Sequence, residues 1–147
     1  MFLNTCINSL GNEYAPYKSK IKEKVASQFG KDDVPGIVFH EYSSVANAIS
    51  KSQELEDFVS ENINVLKSGK EISGSLGFSS NDNLKNAFGK VDVLSARLKN
   101  GYVDVTILDT YDFNPNEDNW KVQKGYSVQK AGLLNPYYTV VKCRYKL

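Results

Sequence analysis

Two aspartates flank a tyrosine in the segment "ILDTYDFNPN", and these side chains together suit acid–base or metal-ion chemistry. Asp109 and Asp112 can each carry a proton or bind a hard cation. The alternation of apolar and polar residues that precedes them is typical of a β-strand, and it stops here. The segment therefore predicts a carboxylate site at the end of a strand, unless the aspartates only mark a turn.

The dipeptide Asn100-Gly101 separates two strand-like stretches and is a strong signal for a β-hairpin. A two-residue turn there places Leu98 opposite Val103. The same register gives two more apolar pairs on one face, and an ion pair and a hydroxyl pair on the other. These pairs are Ala96 with Val105, Leu94 with Ile107, Arg97 with Asp104, and Ser95 with Thr106. A slip by one residue would break both sets, so the pattern favours this register.

Extending the register places Asp92 opposite Asp109, and Lys90 opposite Tyr111. Opposed β-carbons in such a ladder lie about 4.5 to 5.5 Å apart. Two carboxylates at that separation repel unless they share a proton or a cation, so we expect one of them to have a raised pKa. Mg²⁺ is a suitable cation because it takes oxygen ligands, few of them from protein.

Asp112 needs a change of chain direction to join this group. In an ideal strand its side chain points away from Asp109. The residue before Pro115 favours extended or turn backbone, so the chain leaves the sheet there and Asp112 can turn round the edge. We therefore expect a metal group of Asp92, Asp109 and Asp112. The alternative is that Asp112 and Asn114 cap the turn, while Asp109 lies at a solvated strand end.

The first part of the chain, residues 1–69, has the apolar spacing of amphipathic helices. The first helix is marked by three apolar residues at helical spacing and a closing glycine: Ile21, Val25, Phe29 and Gly30. A later helix has Ser52 as its N-cap, and Gly69 supplies a stop. The short apolar run "PGIVFHEY" between them fits a strand or a buried loop.

The second part, residues 70–147, changes to the period of β-strands. Three strands are predicted in "KVDVLSARLK", "YVDVTILDTYDF" and "YYTVVKCRYKL", with a short helix in "YSVQKAGLLNPYY" before the last. The sequence therefore predicts one α+β domain over residues 1–147, with N-terminal helices packed on a C-terminal antiparallel sheet.

Composition restricts the kinds of partner. The 147 residues include 18 basic and 17 acidic side chains, so no charge excess argues for nucleic acid. The start "MFLNTCINSLG" makes a poor signal peptide, and no apolar run approaches the roughly 18 residues of a membrane helix. Cys6 and Cys143 could pair, but the simpler interpretation is a loose thiol near the start and a buried thiol on a strand.

The segment "DTYDFNP", followed by "QKAGLLNPYYTVVKCRYKL", resembles the closing part of bacterial polymorphic toxin domains carried on large secreted Rhs-type or contact-dependent proteins. It is also similar to the colicin M family of lipid II-degrading bacteriocins. Their active-site motif is Asp, any residue, Tyr-Asp, five residues, then His-Arg. The first part of that motif is matched by Asp109, Tyr111 and Asp112. Asp118 and Asn119 stand where the second part has histidine and arginine.

The resemblance implies a secreted antibacterial toxin, delivered into the periplasm of a target bacterium and held harmless at home by a cognate immunity protein. Colicin M-like enzymes cut the lipid-linked peptidoglycan precursor at its pyrophosphate with Mg²⁺, so the implied activity is that of a cell-envelope hydrolase. On that basis Asp109 and Asp112 bind the ion or orient water, and Tyr111 positions the phosphate. The implied partners are the precursor and the immunity protein, with a membrane surface left open.

The absent His-Arg pair leaves the proton donor and the charge clamp to other residues. His40, Lys90 and Lys121 are the candidates, and His40 is the chain's single histidine. A histidine that follows the apolar "GIVF" equally fits a half-buried residue with no catalytic role.

Two other classes remain open. Carboxylates about 5 Å apart also fit a retaining glycosidase acting on the cell wall. A non-enzymatic membrane-active toxin or protein-interaction domain would explain the missing catalytic histidine. The narrow apolar stripes and many charges of the predicted helices argue against the membrane-active form.

Overall fold

A computed structural model describes residues 2–5, 12–30, 34–111 and 137–147. The described strands are β1 (Phe2–Thr5), β2 (Gly36–Phe39), β3 (Ile72–Gly77), β4 (Lys90–Lys99), β5 (Tyr102–Tyr111) and β6 (Tyr137–Lys146). The described helices are a 3-10 helix (Asn12–Tyr17), α1 (Lys18–Phe29), α2 (Ser44–Ser50), α3 (Gln53–Glu61), α4 (Ile63–Lys67) and α5 (Asp82–Ala87). Cys6 and the short helix expected before Asn135 lie outside these residues.

The six strands form one sheet in the order β1-β2-β6-β5-β4-β3. Neighbouring strands are antiparallel except β2 and β6, which are parallel. Most of the helices precede the long strands, so the predicted α+β class is confirmed. The run that fitted either a strand or a buried loop is β2, and its pairing with β6 joins the two parts of the chain directly.

Helices cover both faces of the sheet. Helices α2, α3 and α4 pack on one face, here called the α2–α4 face. Its buried residues include Ile49, Leu55, Val59, Leu66, Val105, Ile107 and Val141. Helix α1 packs on the other, the α1 face, whose buried residues include Ile21, Val25, Leu94, Leu108 and Val140. Within the described ranges, no helix has the length and apolar character needed to cross a membrane.

Local signals set the helix ends. The side chains of Ser43 and Ser52 accept hydrogen bonds from the backbone N–H groups of Ala46 and Leu55, which begins α2 and α3. Gly30 follows α1 in the left-handed conformation with φ 75°, where a residue without a side chain is least strained. The predicted roles of Ser52 and Gly30 are therefore confirmed.

The predicted hairpin turn is present between β4 and β5. Asn100 and Gly101 have positive φ values of 54° and 82°, as a tight turn matched to the twist of the strands requires. The predicted register holds from this turn as far as Ser95, which pairs with Thr106.

Beyond Ser95, an extra residue in β4 shifts the register by one. Val93 pairs with Ile107 and Asp92 pairs with Leu108, which leaves Leu94 as a β-bulge. The predicted pairings that this shift makes wrong are Leu94 with Ile107, Asp92 with Asp109, and Lys90 with Tyr111.

Contacts with the α1 face account for the bulge. The Leu94 side chain is buried in the cluster that α1 covers. The next side chain, Ser95, accepts a hydrogen bond of 3.3 Å from the Tyr17 hydroxyl, which precedes α1. Two consecutive residues therefore contact the same face, and a regular strand does not allow this because its side chains alternate.

The parallel pairing of β2 with β6 depends on the small size of Gly36. A β-carbon at this position would overlap the ring of Tyr138. We expect Gly36→Ala to destabilise the protein by about 1 to 3 kcal/mol, measured by urea denaturation, because the ring must move within a packed core. Gly77→Ala is the control, since an added β-carbon there meets nothing within 4 Å. Equal losses in both variants would contradict this explanation.

Candidate active site

Asp109 lies near the end of β5 with its side chain on the α2–α4 face. It pairs with Thr139 of β6, and it is two residues beyond Ile107, which belongs to the buried cluster of that face. Only 6% of its surface is exposed. No hydrogen bond or ion pair joins its carboxyl group to another residue in the described part of the chain. The strand thus carries an ionisable group into an apolar layer.

Burial raises the pKa of the Asp109 carboxyl group from its ordinary value near 3.8 to about 7, and the charge of Asp92 adds a smaller rise. The raised pKa expected for one of these aspartates is therefore found at Asp109. Its main cause is loss of hydration, because the ionised carboxylate is poorly stabilised in an apolar layer. A carboxyl group with a pKa near the working pH can both give and take a proton, which is the property required of a general acid–base catalyst.

Tyr137 is a neighbour of Asp109 that the sequence analysis does not single out. It pairs with Tyr111 and stands two residues before Thr139, the partner of Asp109. Its side chain is therefore on the same face of the sheet as that of Asp109. Burial first, and the Asp109 carboxylate second, raise the pKa of Tyr137 above its ordinary value. The phenol therefore stays protonated at neutral pH and can act as a hydrogen-bond donor beside the carboxyl group. The alternation of β6 places it on this face, but its position relative to Asp109 depends on a β5–β6 register that no short turn fixes.

Asp92 does not share a face with Asp109. Through its pairing with Leu108, it lies on the α1 face, where its carboxylate forms an ion pair of 3.5 Å with Lys24. Lys90, two residues earlier in β4, is exposed and follows the same alternation. Neither the Asp92 nor the Lys90 side chain therefore lies on the face of the sheet that carries Asp109. Asp92 affects Asp109 only through a small charge effect on its pKa.

His40 is also separated from Asp109. It follows β2, in which Ile37 pairs with Thr139, the residue opposite Asp109. His40 is thus three residues further along the sheet and two strands away, roughly 10 Å in each direction. The described positions do not bring the histidine to the carboxyl group.

The remaining predicted site residues are only partly covered by the structure. Tyr111 ends β5, and its backbone pairs with Tyr137, but its side chain is not described. Asp112 and Lys121 lie outside the described residues.

A shared metal ion between Asp92 and Asp109 is not supported by the described geometry, because the two carboxylates lie on opposite faces. Among the described residues, no group of three His, Cys, Asp or Glu side chains is placed to hold a metal ion. Asp112, the third predicted ligand, lies outside the described ranges.

Cys143 is unsuited to nucleophilic catalysis. It is buried on the α2–α4 face, and burial raises the pKa of its thiol to about 12. The thiol therefore stays protonated at neutral pH, whereas the thiolate is the reactive form. Its place in the buried cluster confirms the interpretation of a buried thiol on a strand.

Comparison of the chain with protein-family models, with curated proteins and with solved structures finds no significant match.

Asp109 should make the folding stability depend on pH. The folded protein keeps the Asp109 proton up to about pH 7, whereas the unfolded chain releases it near pH 4, so stability falls as the pH rises between these values and levels off above them. Asn cannot ionise, so the stability of Asp109→Asn should not fall over this pH range. We expect the variant to be more stable than the wild type at pH 8, by about 2 to 4 kcal/mol, and nearly equal to it at pH 4. Urea denaturation across this range measures the difference.

Asp92→Asn is the matched control for this measurement. Asp92 and Lys24 have side-chain exposures of 39% and 43%, so their ion pair is screened by water and its loss should change stability by less than about 1 kcal/mol. Parallel stability curves for the wild type and Asp109→Asn would contradict the raised pKa.

Proposed function

We propose that this chain is an enzymatic antibacterial toxin domain that hydrolyses a phosphoester or pyrophosphate in the lipid-linked precursor of peptidoglycan. The proposal is carried by one observation: a buried Asp109 carboxyl group, with a pKa of about 7, lies beside the Tyr137 phenol. Asp109 is the first residue of the Asp-Thr-Tyr-Asp segment, which begins within β5, and Tyr137 is the first residue of the neighbouring strand β6. Acid–base groups with shifted pKa values are typical of catalytic sites.

The two side chains have complementary roles in this reaction. Ionised Asp109 accepts a proton from the water molecule whose oxygen forms the new bond to phosphorus. The bond from phosphorus to the leaving oxygen breaks, and the proton is returned to that oxygen or to solvent. Tyr137 donates a hydrogen bond to a phosphoryl oxygen and offsets the negative charge that increases there. This proposal is supported by the location of both residues on neighbouring strands, Asp109 on β5 and Tyr137 on β6.

The proposed Mg²⁺ requirement rests on the resemblance to the colicin M family. Asp112 would bind the ion close to Asp109, which would keep its role towards the attacking water, and substrate oxygens and water would complete the coordination, since Mg²⁺ seldom has an all-protein ligand set. Asp92 has no place in this arrangement. The cation would supply charge stabilisation that the missing histidine and arginine do not.

A protein-interaction domain without enzymatic activity is the second candidate. It is favoured by an apolar groove beside α3 and α4, at the end of β6 away from Asp109. In that case the Asp109 carboxyl group would affect stability only, and its substitution would leave biological activity intact.

Toxicity to a bacterial host should depend on Asp109 and on the compartment. We expect growth inhibition when the chain is exported to the periplasm, and little when it stays in the cytosol. Asp109→Asn should lower hydrolysis of the precursor by roughly 10²- to 10⁴-fold, as is usual on loss of a general acid–base group. Tyr137→Phe should lower it less.

Asp92→Asn is the control in this experiment as well, and it should remain toxic. Because Asp109→Asn is expected to be the more stable protein, unfolding would not explain its lost activity. Full toxicity of Asp109→Asn would overturn the enzymatic proposal and favour the interaction domain.

Binding of Mg²⁺ should lower the pKa of Asp109, because a nearby cation stabilises the carboxylate. Carbon-13 NMR of labelled aspartate would follow the titration with EDTA and then with millimolar Mg²⁺. We expect an apparent pKa of about 7 without the ion, and a lower value with it. Asp112→Asn should abolish the difference. An unchanged titration in the presence of Mg²⁺ would remove the metal from the proposal and leave the acid–base role of Asp109.

A further inference from the structure

A groove of about 370 Å³ lies between helices α3 and α4 and the end of β6. Its apolar lining consists of Val59, Ile63, Tyr145 and Leu147. Val59 is buried, Ile63 and Tyr145 are half-buried, and Leu147 is 49% exposed. The groove therefore offers apolar surface that an occupant could remove from water, which is the main source of association free energy.

Two lysines, Lys67 and Lys146, also line this groove. Both are exposed, and neither forms an ion pair with another residue in the part of the chain that the structure describes. An apolar centre surrounded by a rim of polar and charged side chains is the usual arrangement of a protein interface. The charged side chains that line the groove have one sign, so the complementary surface is acidic.

This surface is separate from the candidate active site. Lys146 pairs with Tyr102 at one end of the sheet, whereas Asp109 pairs with Thr139 towards the other. Seven residues along β6 separate the two positions, which corresponds to roughly 23 Å. An occupant of the groove need not contact Asp109, so its binding can be tested independently of any reaction.

We propose that the groove binds an acidic, amphipathic segment of a partner protein, with apolar side chains on Ile63, Tyr145 and Leu147 and carboxylates beside Lys67 and Lys146. The groove is concave, so a protruding side chain of a protein segment can enter it, whereas a flat lipid surface cannot. Two lysines also fall short of the four to eight basic residues, roughly, that mark recognition of anionic lipids. The proposal stands whether or not the chain is an enzyme.

The test uses the intact chain and a phage-displayed library of short random peptides. Selected peptides should combine Asp or Glu with a large apolar residue, and fluorescence anisotropy would give their Kd. We expect Lys67→Glu with Lys146→Glu to weaken binding by at least about tenfold, because a favourable contact becomes repulsive. Leu147→Ser should weaken it several-fold, and high salt should weaken binding to the wild type.

The control variant combines Lys51→Glu with Lys85→Glu, which makes the same change in net charge at exposed lysines outside the groove. It should bind within about twofold of the wild type once long-range charge effects are screened by salt. Circular dichroism would check that all variants are folded.

Several results would overturn the proposal. These are failure to enrich any peptide, enrichment of peptides without acidic residues, and an equal loss of binding in the control variant. Sedimentation showing that the chain dimerises through Lys67 and Lys146 would assign the groove to a second copy. Binding to anionic vesicles with the same dependence on these lysines would assign it to a lipid surface.

Discussion

The extra residue at Leu94 determines which carboxylates in this protein can act together. Without the bulge, Asp92 and Asp109 would oppose each other on one face and would compete for a proton or a cation. With it, Asp92 lies on the α1 face beside Lys24, and Asp109 lies in the apolar layer beneath α2–α4. Among the described residues, one carboxyl group therefore stands on this face instead of a pair, and its pKa is governed more by loss of hydration than by repulsion. The packing of α1 on Leu94 and the ionisation of Asp109 are thus linked through one strand.

Asp109 is poorly placed for stability and well placed for proton transfer. An aspartate that must shed its hydration at neutral pH lowers the free energy of unfolding, and no described hydrogen bond offsets this cost. Proteins commonly retain such unfavourable groups where activity needs them. Tyr137 fits the same interpretation, because its neutral phenol provides a donor without adding a second charge. The unfavourable energy of this position is the physical reason to associate it with function.

Much of the fold follows from local patterns in the sequence, whereas the site does not. Helical spacing and the signals at Ser52 and Gly30 predict the helices, and Asn100-Gly101 predicts the hairpin with its first pairs. The bulge at Leu94 could not be predicted, because it depends on contacts with α1, which is distant in sequence. For the same reason the sequence attributes the raised pKa to repulsion between Asp92 and Asp109, whereas its main cause is the burial of Asp109, and only the direction of the shift is predicted correctly. The role of Tyr137 depends on a strand pairing with no short turn to fix it.

The parallel contact between β2 and β6 has a consequence for how the chain acquires its structure. Gly36 and Tyr138 are neighbours in the sheet although about a hundred residues separate them in the chain. During synthesis, β2 therefore has no partner on that side until β6 has emerged, and its apolar residues remain partly exposed until then. Closure of the sheet is then a late event that completes both faces together. A chain that lost β6 would lose the connection between its two parts, and a nascent chain would be vulnerable to proteases until that strand is in place.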